Sequence, residues 1–309
     1  MKTPLFVVIL FCLLQTVQVY GADCDCYFVE GYFGGAGDTV SNFYLYRDGH
    51  HTPFLTEGKM DTIRQITLHD TLTSDVYAYL QKATMVKQFR VCNWRHADYS
   101  RVYSLLARFL TLERFEVCDR FFGNVQLAQI ASLPLRTISI ETEQSLLFNN
   151  TWKFPENLTH AYILTSQRLQ FSKEFSRRAG IVNIVIGYDA AKGFPHGLDK
   201  MKHLQEVAFV GIATMNADAA LRELLPIASQ LKSLDFSNCG VEIIPSSIVK
   251  YTSLERFYLI GSPLRHGAGI LNSLPKLRDV YLFFWQYSTD EKKQIRQELS
   301  AIKNVGFDD

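Results

Sequence analysis

Residues 231–264, LKSLDFSNCGVEIIPSSIVKYTSLERFYLIGSPL, leave this chain few ways to fold. Leu231, Leu234 and Phe236 stand at spacing L-x-x-L-x-L, followed by Cys239, Val241, Ile244, Pro245 and Ile248. After 23 residues the phrase restarts at Leu254, Phe257 and Leu259, and again at Leu277, Val280 and Leu282. A fixed period of this size, opening on a short apolar run, is one supersecondary unit repeated. Residues 1, 4 and 6 of each unit are expected in a shared core, and the residues between them on the solvent side of a parallel strand.

The register runs through most of the chain. Units open at Val40, Ile63, Val86, Leu112, Leu135, Leu158, Ile181, Leu204, Leu231, Leu254 and Leu277, in steps of 23 residues apart from one of 26 and one of 27. Ala161 is the softest core position, and a partial unit, Ile302-x-x-Val305-x-Phe307, follows. The two longer steps hold helical patterns, 99–109 and 217–229, with apolar residues three and four apart. Ser288-Thr289-Asp290-Glu291 has capping-box spacing, and Ile295, Leu299 and Ile302 mark one helical face.

The pattern is similar to the leucine-rich repeat, in its L-x-x-L-x-L-x-x-N/C-x-L form, over residues 40–307. The resemblance implies an α/β solenoid, a horseshoe with a parallel sheet on its concave face and irregular or helical convex segments. The expected organisation is a leader at 1–21, an N-terminal cap at 22–39, the solenoid at 40–287, and a capping helix with a partial repeat at 288–309. The Cys24-x-Cys26 pair is similar to the cysteine-bearing caps of extracellular members. At position 9, where the family favours Asn or Cys, only Cys239 conforms; Arg120, Glu143, Ser166 and Trp285 stand at others. The buried Asn ladder is therefore largely missing.

One Lys and then PLFVVILFCLL within residues 1–21 read as a secretory signal peptide, too short for a comfortable membrane span. Secretion would place Cys24, Cys26, Cys92, Cys118 and Cys239 in an oxidising compartment. It would also make Asn149-Asn150-Thr151 and Asn157-Leu158-Thr159 glycosylation acceptors. Cys92 and Cys118 fall at position 7 of consecutive units, so a disulfide is expected between neighbouring strands. Cys239 is expected as a buried thiol. Cys24 and Cys26 then either close a ring together or bond another chain. Without Lys2 the 32 basic residues become 31, against 31 acidic, so no strongly basic nucleic-acid surface is implied.

The same register tests for chemistry. Asp235 and Ser237 share a face, but His160 lies three strands away, roughly 14 Å, so no Ser-His-Asp triad forms. His50-His51 with His69 or Asp70 lack an evident ligand count for a metal. Gly34–Gly37 lack the strand, helix and Lys of a phosphate loop. Neither cofactor nor metal nor catalysis is expected.

Positions 5 and 7 turn apolar from Leu158 onward. Tyr162, Leu164, Val185 and Val210 form one group; Tyr258, Ile260, Tyr281 and Phe283 form a second. Contiguous apolar side chains on a rigid sheet make interface anchors; this reading is preferred to its two alternatives, β-propensity and cover by the chain's own loops. The reading is a secreted, non-enzymatic binding protein with an extracellular protein partner. Alternatives are a structural extracellular glycoprotein without a dedicated ligand and, last, an enzyme of an unrecognised kind.

Overall fold

The computed structural model describes residues 41–45, 57–69, 72–92, 99–187, 194–213, 215–282 and 287–307. The expected leader and cap, with Cys24 and Cys26, lie outside the described residues, as do His50, His51, Asp70 and Phe283. The chain forms two compact units, residues 1–112 with 116–119, and residues 113–115 with 120–309.

In the first unit β1 (Ser41–Leu45), β2 (Ile63–Leu68) and β3 (Gln88–Cys92) are parallel, with Phe43, Ile66 and Phe89 in register. β4 (Arg114–Cys118) comes next in order, its last three residues belonging to this unit. The limb that returns from one strand to the next contains α1 (Ser74–Leu80) and α2 (Tyr99–Leu106). α2 buries Val102, Leu105 and Leu106, spaced to share one helical face.

The second unit is built on parallel strands in the order β5 (Thr137–Thr142), β7 (His160–Thr165), β9 (Asn183–Gly187), β10 (Glu206–Val210), β11 (Ser233–Asp235), β12 (Arg256–Tyr258), β13 (Asp279–Tyr281) and β14 (Asn304–Gly306). Their Cα register runs Ile138, Ala161, Ile184, Val207, Leu234, Phe257, Val280, Val305, the fourth position of each repeat. In both units the side chains at positions 1, 4 and 6 of the full repeats, from Ile63 to Leu282, are at most 6 % exposed. Ala161 is as deeply buried as its larger neighbours. Each Phe enclosed this way, such as Phe209, Phe236 and Phe257, contributes on the order of 2–3 kcal/mol of hydrophobic burial.

The returning limbs are more regular than expected. Besides α2 and α5 (Ala217–Glu223), which lie in the two longer repeats, helices form in 23-residue repeats at α1, α3 (Asn124–Ile130) and α4 (Lys173–Arg178). Their apolar residues, Val76 with Leu80 and Leu127 with Ile130, supply the inward face. Side-chain caps start two of them: at α4 Ser172 Oγ accepts from Phe175 N at 3.2 Å, and at α5 Asn216 Oδ1 accepts from Ala219 N at 3.0 Å. A second, two-stranded parallel sheet, β6 (Leu146–Phe148) with β8 (Leu169–Phe171), runs along this limb. Phe148, Trp152, Phe171 and Phe175 pack beside it with ring centroids 5.1–6.0 Å apart.

α6 (Thr289–Glu298) starts on a capping box, with Ser288 Oγ accepting from Glu291 N at 3.2 Å and Glu291 Oε2 from Ser288 N at 2.8 Å. It was expected to bury the open end of the last repeat. Instead it lies on the returning limb beside the 3-10 turn Ala268–Ser273, tied by Asn272 Nδ2 donating to Glu298 O at 2.6 Å. The sheet continues past it, because Ile302, Val305 and Phe307 form one more repeat strand.

Candidate functional site

In the second unit, the face of the large parallel sheet opposite the core carries positions 3, 5 and 7. Position 5 is an unbroken column, Ser139, Tyr162, Val185, Ala208, Asp235, Tyr258, Tyr281, Gly306. Side chains in such a column stand about 4.8 Å apart, close enough for large ones to cover small ones. That distance overturns the expectation of an exposed apolar patch. Leu164, Val185, Val210, Tyr258 and Ile260 are all at most 7 % exposed, while Tyr162 and Tyr281 stay half-buried.

The covering is mutual. Tyr258 stacks on Tyr281 with centroids 4.8 Å apart and planes 6° from parallel. Tyr281 in turn leans over Gly306, where an added Cβ would sit 3.0 Å from its ring. Leu164 leans over Gly187 in the same way, 2.5 Å from an added Cβ. A side chain at either glycine would displace its neighbour.

Position 3 arches over this floor. Glu206, Ser233 and Arg256 are in register on β10, β11 and β12. Arg256 Nη2 donates to Glu206 Oε1 at 2.6 Å, across the small Ser233, which is left 1 % exposed. Asn183 Nδ2 donates to the other Glu206 oxygen at 2.7 Å. Partly buried and bonded through both oxygens, this pair is better held than a solvated surface ion pair.

Beneath it Asp235 is fully buried. Its Oδ1 accepts from Ser237 N at 2.7 Å and from Ser237 Oγ; Oδ2 has no partner among the described residues. Burial lifts the carboxyl to about 7, more strongly than the Ser237 hydrogen bonds lower it. Ser237 Oγ also accepts from Ile260 N at 3.2 Å, so the Asp235–Ser237 pair fastens the end of β11 to that of β12. No described His reaches it: the position-3 His160 lies three strands away, roughly 14 Å. Among the described residues no three His, Cys, Asp or Glu gather as metal ligands.

In the first unit the same face is polar. Glu116, 1 % exposed, accepts from Arg90 Nε at 2.5 Å and from Gln88 Nε2 at 3.0 Å. Cys92 and Cys118 are buried at position 7, but no S–S bond joins them, contrary to expectation. Strand spacing satisfies the Cα distance, yet Cβ vectors in register on neighbouring strands run side by side instead of converging. Cys239 is buried as expected, its thiol pushed up to about 12 by burial. Its Sγ donates to Phe209 O at 3.1 Å.

The turns after the strands replace the missing Asn ladder in two ways. Thr142 and Thr165, one position earlier, donate to Phe122 O and Gln144 O, each at 2.7 Å. Their oxygens accept from Gln144 N and Gln167 N at 3.2 and 3.1 Å. Gly211, Asn238 and Gly261, also at position 8, turn left-handed instead, with φ of 71°, 55° and 69°. The two sequons lie off the sheet face. Asn149 follows β6, its Oδ1 accepting from Thr151 Oγ1 at 2.6 Å, and Asn157 is exposed just before Leu158.

No model of a known protein family matches the chain, and no curated protein matches its sequence. Among solved structures the chain is similar to TLR13 in the crystal structure of the TLR13–ssRNA13 complex, with a TM-score of 0.52 and 12 % identity over 86 % of this chain. It spans 40 % of that chain. It also aligns, at a TM-score of 0.32 and 12 % identity, with a leucine-rich-repeat protein of Leptospira interrogans, over 88 % of this chain and 96 % of that one. The 23-residue ladder of parallel strands, its core at positions 1, 4 and 6, and the TLR13 alignment identify the fold as an α/β leucine-rich-repeat solenoid.

Proposed function

We propose that the protein is a secreted, non-enzymatic binding protein, and that a protein partner docks on the sheet face of the second unit. The observation that carries this is the makeup of that face. Half-exposed Tyr162 and Tyr281 stand on a floor of interlocked side chains, next to the bridged charges of Glu206 and Arg256. Rigid aromatics on a packed support lose little entropy when a partner covers them, which suits interface anchors. The Asp235–Ser237 pair is engaged in holding β11 to β12 and has no described His within reach.

The leader-like residues 1–21 support export, and glycans on Asn149 and Asn157 would leave the face open. A covalent link to another chain through Cys24 or Cys26 belongs to the same reading. The test is co-purification from native secretions with cross-linking and mass spectrometry, repeated with Tyr162→Ser/Tyr281→Ser. The expected result is a protein captured by the wild type and bound at least tenfold more weakly by a variant that circular dichroism shows to be folded. Equal capture by a folded variant would overturn the assignment of the face.

A further inference from the structure

In the second unit, the edge of the large sheet where the returning limb enters the strands holds a second surface. Backbone bonds stack the position-2 residues there: Lys232 N donates to Gln205 O at 2.8 Å, Glu255 N to Lys232 O at 2.8 Å and Arg278 N to Glu255 O at 3.0 Å; in the next repeat Asn304, one position after Lys303, donates its N–H to Arg278 O at 2.9 Å. Lys232, Arg278 and Lys303 therefore project from one edge, joined by Lys202 and Lys276 just before their repeats open. The acids are already engaged. Glu206 is bridged to Arg256 at 2.6 Å, Glu255 to Arg278 at 2.8 Å, and Asp279 accepts from Asn304 Nδ2 at 2.5 Å. Lys202, Lys232, Lys276 and Lys303 are all exposed, and none has an ion pair among the described residues.

We propose that this lysine edge binds a linear sulfated glycan. The four cations are distributed over β10 to β14, roughly 19 Å at the usual strand spacing, in a row that a linear polyanion can follow. Lysine is a compact, mobile point charge that meets sulfate without demanding a planar fork. A nucleic acid is the less suited polyanion. Single-stranded binders interleave aromatics to stack bases, and every described Phe, Tyr and Trp within 199–307 is buried except the half-buried Tyr281, which stands on the sheet face. The choice of a sulfated glycan also rests on the proposed export, which would bring the chain where such glycans occur; the cationic edge itself does not.

The test uses the full chain, a heparin-derived oligosaccharide and single-stranded RNA of similar length, each titrated at several salt concentrations. Binding to the oligosaccharide should weaken steeply with salt. In Lys232→Ser/Lys276→Ser/Lys303→Ser the logarithmic salt slope should become shallower by about two. A control losing the same charge elsewhere, Lys153→Ser/Lys173→Ser/Lys293→Ser, should keep the wild-type slope. Circular dichroism checks that each variant folds, and the single charge reversal Lys232→Glu serves if the triple variant does not. Equal weakening by the control would reduce the effect to net charge, and tighter binding of RNA than of the oligosaccharide would overturn the ligand class. Either result leaves partner capture through Tyr162 and Tyr281 untouched, so the two assignments fail separately.

Discussion

Asp235 shows how one residue can set a pH dependence. Its carboxyl is fully buried and lifted to about 7 from an ordinary value of 3.8. Below about pH 4 it is protonated folded and unfolded alike, and contributes no pH dependence. As the pH climbs from there to 7 the unfolded chain gives up this proton while the folded one keeps it. Stability therefore falls over that window and levels off above it, by roughly 4 kcal/mol at about 1.4 kcal/mol per pH unit. Asp235→Asn keeps the shape and an acceptor for Ser237 but cannot ionise. Melting curves from pH 4 to 8 should show the variant gaining on the wild type as pH rises. Parallel pH profiles for the two proteins would mean that Asp235 does not titrate in this window.

At the scale of an element, the turn after each strand decides how one repeat hands over to the next. Gly261 has φ +69°, and a Cβ there would come 1.9 Å from Asn238 Oδ1. Gly261→Ala therefore meets both the left-handed penalty of about 1 kcal/mol and a collision. A loss above about 2 kcal/mol is expected in urea melts, whereas Gly211→Ala, with nothing within 4 Å of its added Cβ, should lose only the backbone part. Similar losses for both would show that the Asn238 side chain simply moves aside. The strand elements were legible before the turns were. Every described strand of the repeat ladder falls on the register read from Leu231, Leu234 and Phe236, because burial on one face repeats in sequence. The Thr142 and Thr165 bridges were not, since a hydroxyl one position from the family's Asn has no periodic signature of its own.

For the whole molecule, the proposed export and glycosylation can be checked on one preparation. Expression with its own leader in a secretory host should deliver the chain to the medium without residues 1–21. Enzymatic deglycosylation should then lower its intact mass by two glycans, and Asn149→Gln and Asn157→Gln should each remove one. Protein retained inside the cell, or a mass unaffected by deglycosylation, would count against that part of the reading. The repeat architecture also bounds what a core substitution can do. Each repeat packs mainly on its neighbours, so damage is felt locally and through the next interface.

The sequence by itself determined which residues face the core. Apolar side chains at positions 1, 4 and 6 have nowhere else to go once the period is 23, and even Ala161 keeps its place. It also determined that Asp235 and Ser237 sit together three strands from His160, because register alone sets strand distance. Only the tertiary structure decided which residues of the opposite face remain open. Val185 and Tyr162 look equivalent in a column of letters, but one is enclosed by its neighbours and the other is not. The bridge from Glu206 to Arg256, 50 residues apart, is likewise absent from any local pattern. Exposure depends on the size and lean of the side chains one strand away, and in a sheet of repeats those neighbours are a full repeat distant along the chain.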